Sequence, residues 1–142
     1  MNQAFQRCMD KKKIVPFEQG PKLVAKELRT AAEDLEAAKL GLKSNNYKWP
    51  TIQAYYSQFH SARALLYLMR YREKSHYCLL VAIKELFVKP GLLEIELADA
   101  FYTSMILREN ADYRSDYSES GAENVIDSAA IFLERATAIS ES

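Results

Sequence analysis

One periodic stripe constrains the fold of this chain most strongly. Val24, Leu28, Ala31, Leu35, Ala38 and Leu42 follow one another at alternating gaps of four and three. That rhythm puts every member on one face of a helix, and the small residues among them let a neighbouring helix come close. Gly20-Pro21 precedes the stripe and Ser44-Asn45-Asn46 follows it. Proline suits the first turn of a helix, where its missing N–H has no intrahelical partner.

The remaining sequence repeats the pattern. Pro50 opens a second helix that runs to about Arg70, with Ile52, Tyr55, Phe59, Ala62 and Leu66 on one stripe. Ala54, Ser61, Ala64, Leu65 and Leu68 lie nearly opposite. A helix apolar or small on two sides is central in its domain, or meets another subunit. Ser75 suits the N-cap of a third helix, about His76 to Lys89, which Pro90-Gly91 stops. A fourth runs from about Leu93 to about Asn110. Ser120 and Glu123 read as a capping box for a fifth, which carries Ala122, Val125, Ala129, Phe132, Ala136 and Ile139. No strand alternation or internal repeat competes with this reading.

The prediction is an all-α, up-and-down antiparallel bundle of about five helices. Residues 21–142 form the bundle domain, and residues 1–20 form an N-terminal segment. Within that segment Phe5, Cys8 and Met9 suit a short helix docked on the bundle or a partly mobile stretch.

Composition excludes several functions. Nineteen Lys and Arg balance nineteen Asp and Glu, which argues against a dedicated nonspecific nucleic-acid binder. The runs Lys11-Lys12-Lys13 and Arg70, Arg72, Lys74 read as solvated surface, with a local basic patch as the alternative for each. Cys8 and Cys78 make no disulfide framework, and Cys78 reads as a small buried hydrophobe, so a reducing cytoplasm fits. The N-terminus has no apolar signal core, and no apolar run reaches the ~20 residues that cross a bilayer. No glycine-rich phosphate loop or serine elbow occurs. His60 and His76 stand far apart and Cys8 and Cys78 are isolated from each other, so no metal-ligand spacing appears and neither a metal nor any other cofactor is expected. Glu73-Lys74-Ser75-His76 has the letters of a carboxylate–histidine pair, without the second copy a di-iron bundle needs.

The polar residues that depart from this pattern are the informative ones. Ala98, Phe101 and Met105 hold the apolar face of the fourth helix, and Arg108 and Asp112 extend the same stripe. Charged side chains are rarely buried unless paired, so this is an internal ion pair or a site. The second helix carries Tyr56, His60, Arg63 and Tyr67 on one line. That line is either a satisfied polar layer or the wall of a cleft, in which Arg63 offers a planar donor fork and the tyrosines a stacking surface. His76 leans toward the core from the first turn of the third helix, where the helix dipole favours a neutral imidazole. Should Arg63 and Arg108 converge, one Asp112 would not balance them, and an anion would be drawn in.

Three segments together resemble the HEPN domain family, in particular its small single-domain prokaryotic members. They are Tyr55-Tyr56-Ser57-Gln58-Phe59-His60-Ser61-Ala62-Arg63-Ala64-Leu65-Leu66, then Arg72-Glu73-Lys74-Ser75-His76, then Leu107-Arg108-Glu109-Asn110-Ala111-Asp112-Tyr113. The resemblance covers roughly residues 21–140. It implies a helical bundle that commonly dimerises and, in many members, a metal-independent ribonuclease toxin paired with a minimal nucleotidyltransferase. The family's catalytic signature is an arginine, a polar residue, and a histidine four to six positions on. Arg108 matches the arginine, Glu109 stands where Asn, Asp or His is usual, and Tyr113, Arg114 and Ser115 occupy the histidine's window. Metal-free RNA cleavage needs groups that trade protons near neutral pH, and Asp112 and Tyr113 are poorly tuned for that. The expectation is a cytoplasmic, dimeric module that binds a nucleotide, RNA or a partner and lacks ribonuclease activity. The ligand residues expected are Tyr56, His60, Arg63, His76, Arg108, Asp112 and Tyr113. The alternative is a ribonuclease toxin drawing on Arg108, Asp112, Tyr113 and His76.

Overall fold

The computed structural model describes residues 2–142. Six α-helices dominate: α1 (Gln3–Asp10), α2 (Gly20–Lys43), α3 (Lys48–Leu68), α4 (His76–Ile83), α5 (Ile95–Tyr113) and α6 (Glu119–Glu141). A two-stranded antiparallel ribbon joins β1 (Ile14–Pro16) to β2 (Tyr71–Glu73). The fold is thus an all-α bundle with one small ribbon at its N-terminal edge.

α2 and α3 form an antiparallel hairpin across the short turn at residues 44–47, where Asn45 takes a positive φ of 59°. The predicted stripe of α2 faces α3, with Val24, Ala31, Leu35 and Ala38 buried. At the far end of the hairpin Gly20 lies against the Tyr67 carbonyl, and a Cβ there would collide with it. α3 is the central helix and packs on α2, α4, α5 and α6. Its two-sided apolar pattern follows from that position: Tyr55, Ala62 and Leu66 are fully covered, and so are Ala54 and Leu65 on the other side.

Some local expectations hold and others are corrected. α1 is a formed helix, capped by Asn2 Oδ1, which accepts from the N–H groups of Ala4 and Phe5 at 2.6 and 3.2 Å. Phe5 and Cys8 dock it on the core. Ser75 does cap α4, its Oγ accepting from Cys78 N–H at 3.1 Å, but the α-helix stops at Ile83 and continues as a π-helical turn over Lys84–Val88 that buries Phe87. α5 runs on through Tyr113, so Arg108 and Asp112 are both helical. α6 is capped by Ser118 rather than Ser120, its Oγ accepting from Gly121 N–H at 3.0 Å. The strands are three residues each, too short to show alternation.

Cys8 and Cys78 are joined as a disulfide with their Cα atoms 5.8 Å apart. The reading of unpaired cysteines is therefore wrong, and with it the support they gave to a reducing compartment. The bond ties α1 to α4, and both partners are buried. Among the described residues no helix is long and apolar enough to cross a membrane.

Candidate functional site

Arg108 reaches the core because the buried stripe of α5 leads there. Ala98, Phe101 and Met105 are covered, and one turn on the Arg108 side chain is 12% exposed. It meets two consecutive tyrosines of α3. Its Nη2 donates to the Tyr56 hydroxyl at 2.7 Å. Its guanidinium carbon lies 5.5, 5.3 and 5.6 Å from the ring centres of Tyr55, Tyr56 and Tyr113. Such cation–π packing stabilises a charge while leaving it electrostatically uncancelled. Asp112 Oδ2 stands 3.9 Å from Nε, beyond hydrogen-bond range, and Nε is buried without a partner. Tyr113, 74% exposed, closes the outer side of the cluster.

His76 shares the same aromatic wall. Its ring stacks on Phe59 at 4.5 Å and on Tyr55 at 5.8 Å, with Tyr56 edge-on at 6.2 Å. Its Nδ1 lies 2.6 Å from the Tyr55 hydroxyl. Burial pushes the Tyr55 phenol well above its ordinary range, so that group keeps its proton. We assign the hydroxyl as donor to Nδ1, which places the imidazole proton on Nε2. Burial first, and then the Arg108 charge, hold His76 below its ordinary pKa, and it is neutral at pH 7.

The polar line of α3 divides at this point. Tyr56 joins Arg108, whereas His60 and Arg63 turn toward acids that α2 and β2 supply. His60 Nδ1 lies 2.6 Å from Glu27 Oε2, and Nε2 lies 3.8 Å from Asp34. Arg63 donates from Nε and Nη2 to the two oxygens of Glu73, at 3.3 and 2.7 Å, and its Nη1 lies 3.6 Å from Glu27. It also rides over the Phe59 ring at 4.5 Å. Burial raises the Glu27 carboxyl, but the His60 contact and the Arg63 charge outweigh burial and bring it below its ordinary value. Burial raises Asp34. Two carboxylates therefore neutralise Arg63, whereas Arg108 has one, Asp112, at the longer distance of 3.9 Å. Tyr67 packs against Phe17 instead, ring centres 5.1 Å apart.

Glu27, Asp34, Glu73 and Tyr55 were not among the expected site residues. Glu27 carried a usable signal, since it lies three residues after Val24 and directly precedes Leu28 beside the buried seam. Glu73 stood in plain view three residues before His76. Among the described residues no group of three or more His, Cys, Asp or Glu side chains is arranged to hold a metal ion.

The HEPN domain family model matches residues 24–139. The chain belongs to the HEPN domain family. It is 34% identical over 109 residues to a Methanocaldococcus jannaschii protein named "Putative toxin MJ0605", a match covering 76% of this chain and 81% of that one. A second protein of that organism, named "Putative toxin MJ0142", is 28% identical over 112 residues, or 78% of this chain and 76% of the other.

Proposed function

We propose that this chain is a HEPN module that binds the phosphate of a nucleotide or short RNA at Arg108 and does not cleave RNA. One contrast carries the reading. Arg63 is neutralised by Glu73 and Glu27, while Arg108 has a tyrosine hydroxyl, three ring faces and a carboxylate out of hydrogen-bond range. A guanidinium left in that condition favours an incoming anion. Tyr55, Tyr56, His76, Asp112 and Tyr113 surround it, and the exposed Tyr113 ring offers a surface for a base. His60 and Arg63 support α3 from behind rather than touching the ligand. The family motif's histidine is absent from the sequence, which removes the usual proton carrier.

The same reading has the chain work as a homodimer, with a minimal nucleotidyltransferase as its protein partner. Ile95, Tyr102, Ile106 and Tyr113 lie exposed along α5 at gaps of seven, four and seven, the spacing of a helix-pairing seam. Tyr113 belongs to both the seam and the Arg108 cluster.

The test is a melting-temperature panel of mono- and dinucleotides and short RNAs. At least one should raise the midpoint, and Arg108→Ala should abolish that rise. No rise across the whole panel overturns the reading.

A second reading has one observation in its favour. His76 is neutral and shares the Tyr55–Tyr56 pair with Arg108, so it could take a proton in place of the missing histidine. The two relatives named as putative toxins agree with it. RNA cleavage in the presence of chelator, lost in His76→Ala, would establish this alternative.

A further inference from the structure

The two basic runs of the sequence, far apart along the chain, meet in space. β1 and β2 pair in the register Ile14↔Glu73, Val15↔Arg72 and Pro16↔Tyr71. Lys74 N–H donates to the Lys13 carbonyl at 2.8 Å beyond one end of the pairing, and Phe17 N–H donates to the Arg70 carbonyl at 2.7 Å beyond the other. Alternation along the ribbon turns Ile14 and Glu73 inward. Arg72 then points outward, and the exposed Lys13, Lys74 and Arg70 flank the short ladder beside it. Arg72 lies within β2, and Arg70 and Lys74 flank it on either side.

This cationic surface is not balanced locally. Lys13 and Lys74 stand opposite each other, an arrangement that costs stability in a strand pair. Arg70 pairs with Glu18 at an exposed site, and Arg72 lies over the Phe17 ring at 5.5 Å. Among the described residues Lys11, Lys12, Lys13, Arg72 and Lys74 make no ion pair within 4.0 Å. Glu73, the one acid inside the ribbon, is committed to Arg63. The neighbouring hollow of about 150 Å³ adds Arg7, Lys11 and the exposed Tyr77 ring, over the Cys8–Cys78 bond. Because the whole chain carries equal numbers of basic and acidic residues, this end is positive and the remainder is net acidic.

We propose that the outer face of the β1–β2 ribbon, with the adjoining hollow, is a docking surface for the phosphate backbone of a single-stranded nucleic acid. Clustered cations beside an exposed aromatic ring fit a strand whose phosphates are paired and whose bases stack. The exposed Tyr77 ring beside the cations gives a base a face to stack on, which favours a single strand over a lipid headgroup. The surface stands on its own cations, so it can bind when the Arg108 site does not, and the reverse.

The test is a salt titration of binding to a fluorescein-labelled oligouridylate, using the full oxidised chain. The triple variant Lys13→Gln, Arg72→Gln, Lys74→Gln should weaken binding tenfold or more. It should also flatten the plot of log affinity against log salt by about 2, at ~0.7 per cation for a single strand. A matched control, Lys26→Gln, Arg29→Gln, Lys39→Gln on α2, makes the same charge change and should leave the affinity within about twofold. All substituted residues are exposed, and a circular-dichroism melt verifies folding. Equal loss in both triple variants, an unchanged slope, or no binding by the wild type overturns the proposal. So does equal or tighter binding to phosphatidylserine vesicles or to polyglutamate.

Discussion

The Tyr55 hydroxyl lies 2.6 Å from His76 Nδ1, and the two rings stack at 5.8 Å. This pair links the centre of α3 to the first turn of α4, and it fixes which imidazole nitrogen faces outward. Tyr55→Phe removes the hydroxyl and keeps the ring. Loss of a buried donor should cost about 1–2 kcal/mol of stability in urea denaturation. Because the lost bond favoured the neutral imidazole, the His76 pKa should rise toward its ordinary value in an NMR titration. An unmoved His76 titration would show that the hydroxyl does not hold the ring.

His76 also sets a pH dependence. Its folded pKa lies below the ordinary value of 6.5, so the unfolded chain takes up the proton more readily. Stability contributed by the neutral ring is present above about pH 6.5 and should fall as pH drops from there to the folded pKa, then change no further. His76→Gln should remove this component. Melting midpoints of both proteins between pH 8 and pH 5 provide the measurement, and parallel curves would contradict it.

Arg63 and Glu73 form a pair with the Glu73 side chain only 5% exposed. Arg63→Ala leaves that carboxylate buried and unpaired, which should cost about 3 kcal/mol. Arg63→Met with Glu73→Met should recover most of the loss, since desolvating an ion pair offsets much of its attraction. Chemical denaturation of the three proteins measures it.

The α5 seam makes its own prediction. Ile106→Glu puts a charge in the middle of the exposed apolar line without touching the core. Light scattering should report a dimer for the wild type and a monomer for the variant. A monomeric wild type at tens of micromolar would remove the seam as an interface.

Much of the bundle is legible in the sequence because helix periodicity is a local property. The stripe of α2 and the two-sided pattern of α3 translate directly into burial. The inward course of Arg108 is legible for the same reason, being the next step after Met105. Pairings between elements are not local. Glu27 and Glu73 can each be singled out in the sequence, but nothing there says that they reach His60 and Arg63, so the shared stripe with Tyr56 reads as one surface when it is two. The ribbon is invisible because three residues give no alternation, and the meeting of the two basic runs depends entirely on it. Cys8 and Cys78 are 70 positions apart, and only the docking of α1 on α4 brings their sulfurs into contact.

That bond encloses α2 and α3 in a covalent ring. A chain stretched from its two ends in the oxidised state can pay out only the residues outside positions 8–78, roughly half of its contour. The α2–α3 hairpin is shielded from tension until the ring opens, so force alone would unravel α5 and α6 while the contacts between α2 and α3 carry no load.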